Sequence, residues 1–90
     1  MSYSFSVRGK SKAEALAAVT ARFDEVVQQQ PVHTHDRPTA QEQVEKVLAL
    51  VNEPAANEEI SVSVNGYVSW RGEGQFTGVS VNVSATVITP

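Results

Sequence analysis

The chain contains no cysteine, which excludes disulfide bridges, thiolate metal sites and cysteine nucleophiles. It also lacks an apolar run long enough to span a bilayer, and no signal-peptide pattern opens it, so we expect a protein of the cytoplasm without a membrane contact. Positive charge is scarce, since seven Lys and Arg residues stand against ten Asp and Glu residues and the net charge is −3. This balance argues against nucleic-acid binding through bulk electrostatics.

The composition that remains is that of one globular domain. The chain has 90 residues, of which 41% are hydrophobic and 19% are charged. A chain of this length buries enough surface for one thin core, and its charged fraction is ordinary for a folded domain. We therefore expect a single domain over residues 1–90.

Alternation of apolar and polar residues predicts three strands. Residues 2–9 alternate aromatic and β-branched side chains with serines, which is typical of a half-buried strand. The same alternation occurs over residues 60–70 and 79–87. Two glycines in the segment 71–75 favour a turn, so the last two strands are predicted to form an antiparallel hairpin.

Three residues break this alternation. Gly66 takes an apolar position in the second predicted strand, which indicates a bulge or a close contact with a helix. Phe76 and Ile88 have the parity of the polar residues of the last strand. They predict either a bulge in that strand or side chains that face outward.

The first helical segment is predicted to begin at Ser11 and to end near Gln30. Ser11 and Glu14 have the spacing of a capping box, and Pro31 disfavours a helical conformation in the residue before it. Apolar residues recur at spacings of three and four along one face. They are Leu16, Val19, Phe23, Val26 and Val27.

The second helical segment is predicted to begin at about Thr39, with Thr39 or Asp36 as its cap. Asn52 suits the C-terminal cap, and Pro54 prevents the helix from continuing. Its apolar stripe consists of Val44, Val47, Leu48 and Val51.

These elements follow one another in the order β-α-α-β-β, which predicts the α+β class. We expect a two-layer sandwich, with a three-stranded antiparallel sheet and both helices on one of its faces. The first strand would then lie beside one or the other strand of the hairpin.

The sheet face turned away from the helices is unusual, because its side chains are small and almost uncharged. The residues with this parity are Ser4, Ser6, Ser61, Ser63, Asn65, Ser69, Ser80, Asn82, Ser84 and Thr86. This face is either a solvated surface that happens to be rich in serine, or a surface that meets another protein. Short side chains lose little rotamer entropy on burial, and long strands with few edge charges lack the usual protection against strand addition.

We take the second interpretation as the prediction, with a second copy or another protein as partner and a homo-oligomer as the expected state. The candidate binding residues are Ser61, Ser63, Asn65, Tyr67, Trp70, Arg71, Ser80, Asn82 and Ser84. Trp70 ends the apolar row beside the turn, as a core or rim residue or as an anchor for a partner.

The segment 31–38 holds the only local cluster of residues that could bind a metal. In an extended segment His33 and His35 would project to the same side, with Asp36 as a third ligand. The alternative is a plain polar linker, which we prefer because no further histidine completes the set. The serines follow strand parity and no glycine-rich phosphate loop is present, so we expect neither a catalytic site nor a cofactor.

Four segments resemble small proteins that tailed bacteriophages and prophages encode. The segments are SYSFSVRGKSKAEA, QPVHTHDRPTA, VSVNGYVSW and VSVNVSATV. The resemblance covers most of the chain and implies a phage setting, in the host cytoplasm or the virion. Because the residues show no catalytic pattern, we expect a non-catalytic protein that acts through protein–protein contact. A virion or assembly component, an accessory protein that inhibits a host factor, and a small-ligand or metal-binding module are the alternatives. The strand order is also similar to that of dodecin-like flavin binders, but the second helix departs from their pattern.

Overall fold

The structure is a computed structural model that describes residues 2–71 and 75–90, with the side chains of residues 70, 71 and 75–77 left out. It confirms the predicted order β-α-α-β-β and the α+β class. The elements are β1 (Ser2–Gly9), α1 (Lys12–Gln29), a 3-10 helix (Pro31–Thr34), α2 (Arg37–Ala49), β2 (Glu59–Arg71) and β3 (Gln75–Ile88).

The sheet is antiparallel with the strand order β1-β2-β3, so the first strand lies beside β2. β1 pairs with residues 60–67 of β2, whereas β3 pairs with β2 along its whole length. The far end of the hairpin therefore extends beyond β1, and the molecule measures 50 × 22 × 17 Å.

α1 forms where the sequence predicts it. Ser11 has an extended backbone at the N-cap, and its hydroxyl accepts a hydrogen bond from the Glu14 N–H at 3.1 Å. Ala15, Val19 and Phe23 form the buried stripe of the helix. The helix packs mainly on β1, while α2 packs mainly on β3.

α2 has Asp36 rather than Thr39 at its N-cap position, which is the alternative that the sequence left open, and its predicted C-terminal end was wrong. The helix begins at Arg37, two residues before Thr39, because Pro38 lies in its first turn, where a missing N–H costs no hydrogen bond. It ends at Ala49 rather than near Asn52, because the Leu50 and Val51 amides bond to carbonyls three residues back and close the last turn. Asp36 occupies the N-cap position but makes no side-chain capping bond.

The core lies between the helices and one face of the sheet, as parity predicts. Its centre is aromatic: the ring of Phe23 meets the rings of Phe5 and Tyr3 edge-on, with centroids 5.3 and 5.8 Å apart. The remaining buried apolar residues of this cluster are Ala15, Val19, Ala40, Val44, Leu48, Ile60, Val62 and Val64. Both helices thus cover the same sheet face.

The residues that break strand parity have local explanations. Gly66 pairs with Tyr3, and the Tyr3 ring fills the space that a side chain at position 66 would need. The ladder between β2 and β3 shifts register after Ser69, so that Ser69 pairs with Gly78 and Trp70 pairs with Phe76. A bulge therefore explains Phe76, whereas Ile88 keeps the polar parity opposite Glu59, at the end of the sheet.

Candidate functional site

The sheet face opposite the helices is built from four rows of residues that pair across the three strands. We call it the outer face. Its rows are Ser2–Tyr67–Ser80, Ser4–Asn65–Asn82, Ser6–Ser63–Ser84 and Arg8–Ser61–Thr86. Eleven of these twelve side chains are uncharged, and no described helix packs on them, because both helices bury the other face.

Short hydroxyl and amide side chains give the outer face its chemistry. The Ser6 and Ser63 hydroxyls lie 3.0 Å apart and form a hydrogen bond across β1 and β2. Further along, Asn65 and Asn82 belong to a shallow depression of about 370 Å³. Tyr67, which is 51% exposed, lines this depression and is the largest exposed hydrophobic side chain of the outer face. The surface can therefore donate and accept many hydrogen bonds but attracts neither cations nor anions strongly.

Seven of the predicted binding residues lie on this surface, as parity predicts. Ser61 and Ser63 are half-buried on the central strand, whereas the other five are exposed. Those five are Asn65, Tyr67, Ser80, Asn82 and Ser84. The side chains of Trp70 and Arg71 lie outside the described part of the molecule.

The outer edge of the sheet at β3 is the second notable surface. The strand contains no charged residue and no proline from Gln75 to Ile88. The helix that packs on β3 is much shorter than the strand. The 13 residues of α2 span about 20 Å, whereas the 14 residues of β3 span about 46 Å. The valines of β3 are consequently covered only in part, and Val79 is 43% exposed.

The segment that was predicted as an extended linker or a metal ligand set is a compact turn. Residues 31–34 form a 3-10 helix, so His33 and His35 do not share a side: His33 is buried and His35 is exposed. The His33 Nδ1–H donates to the Asp36 carboxylate, whose oxygens lie 3.1 and 3.3 Å away. Among the described residues, no group of three or more metal-binding side chains occurs.

This turn forms a buried polar cluster that the sequence did not reveal. The His33 Nε2 lies 3.0 Å from the Gln30 amide oxygen, so both ring nitrogens face oxygen acceptors. The Tyr3 ring meets the His33 ring edge-on, with centroids 4.6 Å apart. The spacing of three between His33 and Asp36 is the signal that the sequence offers, but the segment was predicted to be a plain polar linker, with a metal site as the alternative.

The Tyr3 hydroxyl is buried beside this cluster and has no hydrogen-bond partner within the described residues. Burial first, and the nearby Asp36 carboxylate second, raise the pKa of the Tyr3 phenol above its ordinary value. A neutral phenol without a partner cannot serve as a base at neutral pH. We therefore interpret the cluster as structural: through Tyr3 and His33 it joins β1 to the helical layer.

Comparison with known proteins found no matching family model, no matching curated protein and no matching solved structure. The resemblance to phage proteins accordingly stays a prediction from the sequence. No helix within the described residues is long and apolar enough to cross a membrane.

Proposed function

We propose that this protein is a non-catalytic assembly component of phage type that acts through protein–protein contact at its outer face. The supporting observation is the distribution of charge. Charged residues make up 19% of the chain, yet Arg8 is the only one among the twelve residues of the outer face, and the next charged residue of the same parity, Glu59, lies one row beyond them. Surfaces that only meet water normally carry mixed charges, so this neutral surface favours contact with another protein.

The side chains of the outer face suit close approach of a partner. Serine, threonine and asparagine are short, so little rotamer entropy is lost when they are buried. Their hydroxyl and amide groups must still find hydrogen bonds in the complex, because an unpartnered buried polar group is costly. We therefore expect a partner with a flat polar surface, and an interface that keeps ordered water.

The proposal is tested by placing two charges on the outer face. Ser63→Arg combined with Asn65→Arg puts two long cations near its centre, both on the central strand and away from the sheet edges. The matched control, Gln28→Arg with Gln29→Arg, adds the same charge to exposed positions at the end of α1. Both variants should keep the wild-type circular dichroism spectrum, since none of the four positions belongs to the core.

Light scattering after size exclusion measures the mass of the assembly at high concentration. We expect the wild-type protein to exceed the 9.7 kDa of one chain, and the outer-face variant to have a lower mass than the α1 control. Equal masses for the two variants would contradict the proposal. A wild-type monomer would instead favour the accessory protein that binds a host factor.

A further inference from the structure

We propose a second interaction surface, the open edge of β3, and we assign its occupant as β3 of a second copy of this chain. The two strands would run antiparallel about a two-fold axis perpendicular to the sheet. The result is one continuous six-stranded sheet with all four helices on one side. The four β3 residues of the outer face also lie on this edge. The contact proposed here is made instead by the backbone groups of β3 that are directed away from β2, and substitutions on the central strand test the outer face separately.

The edge itself is unprotected against strand addition. β3 is the last strand of the sheet, so the backbone groups directed away from β2 have no partner strand within the described part of the chain. Sheet edges are commonly protected by charge, by proline, by a short length or by a bulge. β3 has a bulge next to Phe76 but none of the other three, and its residues 78–88 pair with β2 in regular register. The opposite edge differs: β1 has only eight residues and carries Arg8.

The chemistry of the edge selects a second copy as the occupant. Two identical antiparallel strands match in length, and each backbone donor of one copy finds the equivalent acceptor of the other. Since neither strand is charged, no like charges oppose each other at the contact, although each chain is acidic overall. A partner of opposite charge would gain nothing from so neutral an edge.

The contact is long enough for a specific interface. A strand of 14 residues is about 46 Å long, and side chains on both sides of a sheet give an edge roughly 10 Å thick. Two such edges would bury on the order of 1,000 Å² in total, the lower bound for a specific protein–protein interface. Pairing would also cover the partly exposed valines of β3, above all Val79, with the matching row of the second copy.

The absence of cysteine makes the pairing directly measurable. We suggest single-cysteine variants at each position of residues 78–88, oxidised mildly and analysed on a non-reducing gel. In an antiparallel two-fold pair, one residue faces itself across the axis, and each step of two residues moves the equivalent Cα atoms about 14 Å further apart. A disulfide needs Cα atoms within about 7 Å, so we expect one sharp maximum of cross-linking along the strand.

Matched variants identify the edge as the contact. Ser84→Lys with Thr86→Lys places charge on β3, and Ser61→Lys with Ser63→Lys places the same charge on their paired residues in the central strand. We expect wild-type protein to have twice the 9.7 kDa mass or a multiple of it. Each pair of lysine substitutions is then combined with the single-cysteine variants of the scan. The β3 pair should abolish the maximum of cross-linking, whereas the β2 pair should leave it in place.

Three results would overturn the inference. Cross-linking of similar yield at every outer-face position of β3 would indicate a parallel pair. A second outcome is a disulfide between two mixed variants, one with cysteine in place of Ser4 or Ser6 and the other with cysteine in β3, and no maximum among the β3 variants alone. It would indicate that β1 of one copy pairs with β3 of the next, in a head-to-tail chain. A pure monomer without cross-links would show that β3 stays unpaired, and it leaves contact between the outer face and another protein to be tested separately.

Discussion

The ring of Tyr3 takes the place of a side chain at Gly66. The two residues pair directly across β1 and β2, and a Cβ added at Gly66 would overlap the Tyr3 Cε1 atom. The ring cannot retreat easily, because it packs against Phe5, Phe23 and His33. The glycine is therefore required by a close contact on the core side of the sheet.

Gly66→Ala should consequently destabilise the protein. We expect a loss of about 1–3 kcal/mol in the free energy of unfolding, the usual cost of overpacking a core. Urea denaturation followed by circular dichroism measures it. Gly78→Ala is the control, because a Cβ at Gly78 meets nothing within 4 Å and alanine suits a strand at least as well as glycine. Equal losses for the two variants would show that the Tyr3 contact is not the cause.

Tyr3→Phe should stabilise the protein, although it removes a polar atom from the core. The hydroxyl is buried without a partner, and such a group costs about 1–3 kcal/mol. Since phenylalanine keeps the ring contacts, we expect a gain of about 1 kcal/mol in the free energy of unfolding. Tyr67→Phe, at a half-exposed ring, should change it by less than about 0.5 kcal/mol. A lower stability of Tyr3→Phe would mean that the hydroxyl has a partner after all.

Stability should also fall at alkaline pH because of Tyr3. The pKa of its phenol is raised in the folded protein, mainly by burial, whereas the unfolded chain ionises near pH 10. The stabilising contribution is complete below about pH 10 and is lost as pH rises toward the folded pKa. Each pH unit in that window removes up to about 1.4 kcal/mol. Urea titrations at pH 9, 10 and 11 should show a steeper decline for the wild type than for Tyr3→Phe.

The pair of His33 and Asp36 should be worth far more than a surface pair. Their side chains are 1% and 0% exposed, so Asp36→Ala leaves a buried ring nitrogen without its acceptor and should cost about 1–3 kcal/mol. Asp24 and Arg37 form a shorter contact of 2.6 Å, but Asp24 is 60% exposed. Asp24→Ala should therefore cost about 1 kcal/mol or less. Similar thermal unfolding of the two variants would refute a structural role for the buried pair.

The aromatic centre of the core gives the largest predicted effect. Phe23 is 1% exposed and touches both aromatic residues of β1, so Phe23→Ala should cost about 3–5 kcal/mol. That loss is a large part of the stability of a small domain. Leu50→Ala removes an apolar side chain that is 88% exposed and should change stability by less than about 0.5 kcal/mol. Thermal melts of both variants would distinguish core packing from general loss of apolar area.

Periodicity was sufficient to predict the layers of this fold. The parity of residues 60–68 placed the valines inside and the serines outside, and Ser11 marked the start of α1 correctly. These features depend on properties of single residues and their near neighbours, namely hydrophobicity at alternate positions and the capping preference of serine. The seven described binding candidates were also placed on the correct face, because parity alone decides it.

Contacts between distant residues could not be predicted in the same way. Pairing of β1 with β2 rather than β3 depends on how the helices cross, and the sequence left it open. The contact of Tyr3 with Gly66 joins residues 63 positions apart. His33 and Asp36 are close in sequence, but their pairing requires the 3-10 turn and the contact with Tyr3, so the sequence alone favoured a plain polar linker.

The position of the Asp36 carboxylate has a consequence for how the molecule loosens. Its hydrogen bonds go to His33, so the first amide groups of α2 receive no side-chain cap from the residue that precedes them. The N-terminal turn of α2 is instead stabilised by the 3-10 helix that precedes it. Opening of the 3-10 helix and fraying of the first turn of α2 should thus occur together. The amide protons of Arg37 and Thr39 should exchange with solvent before those in the middle of the same helix.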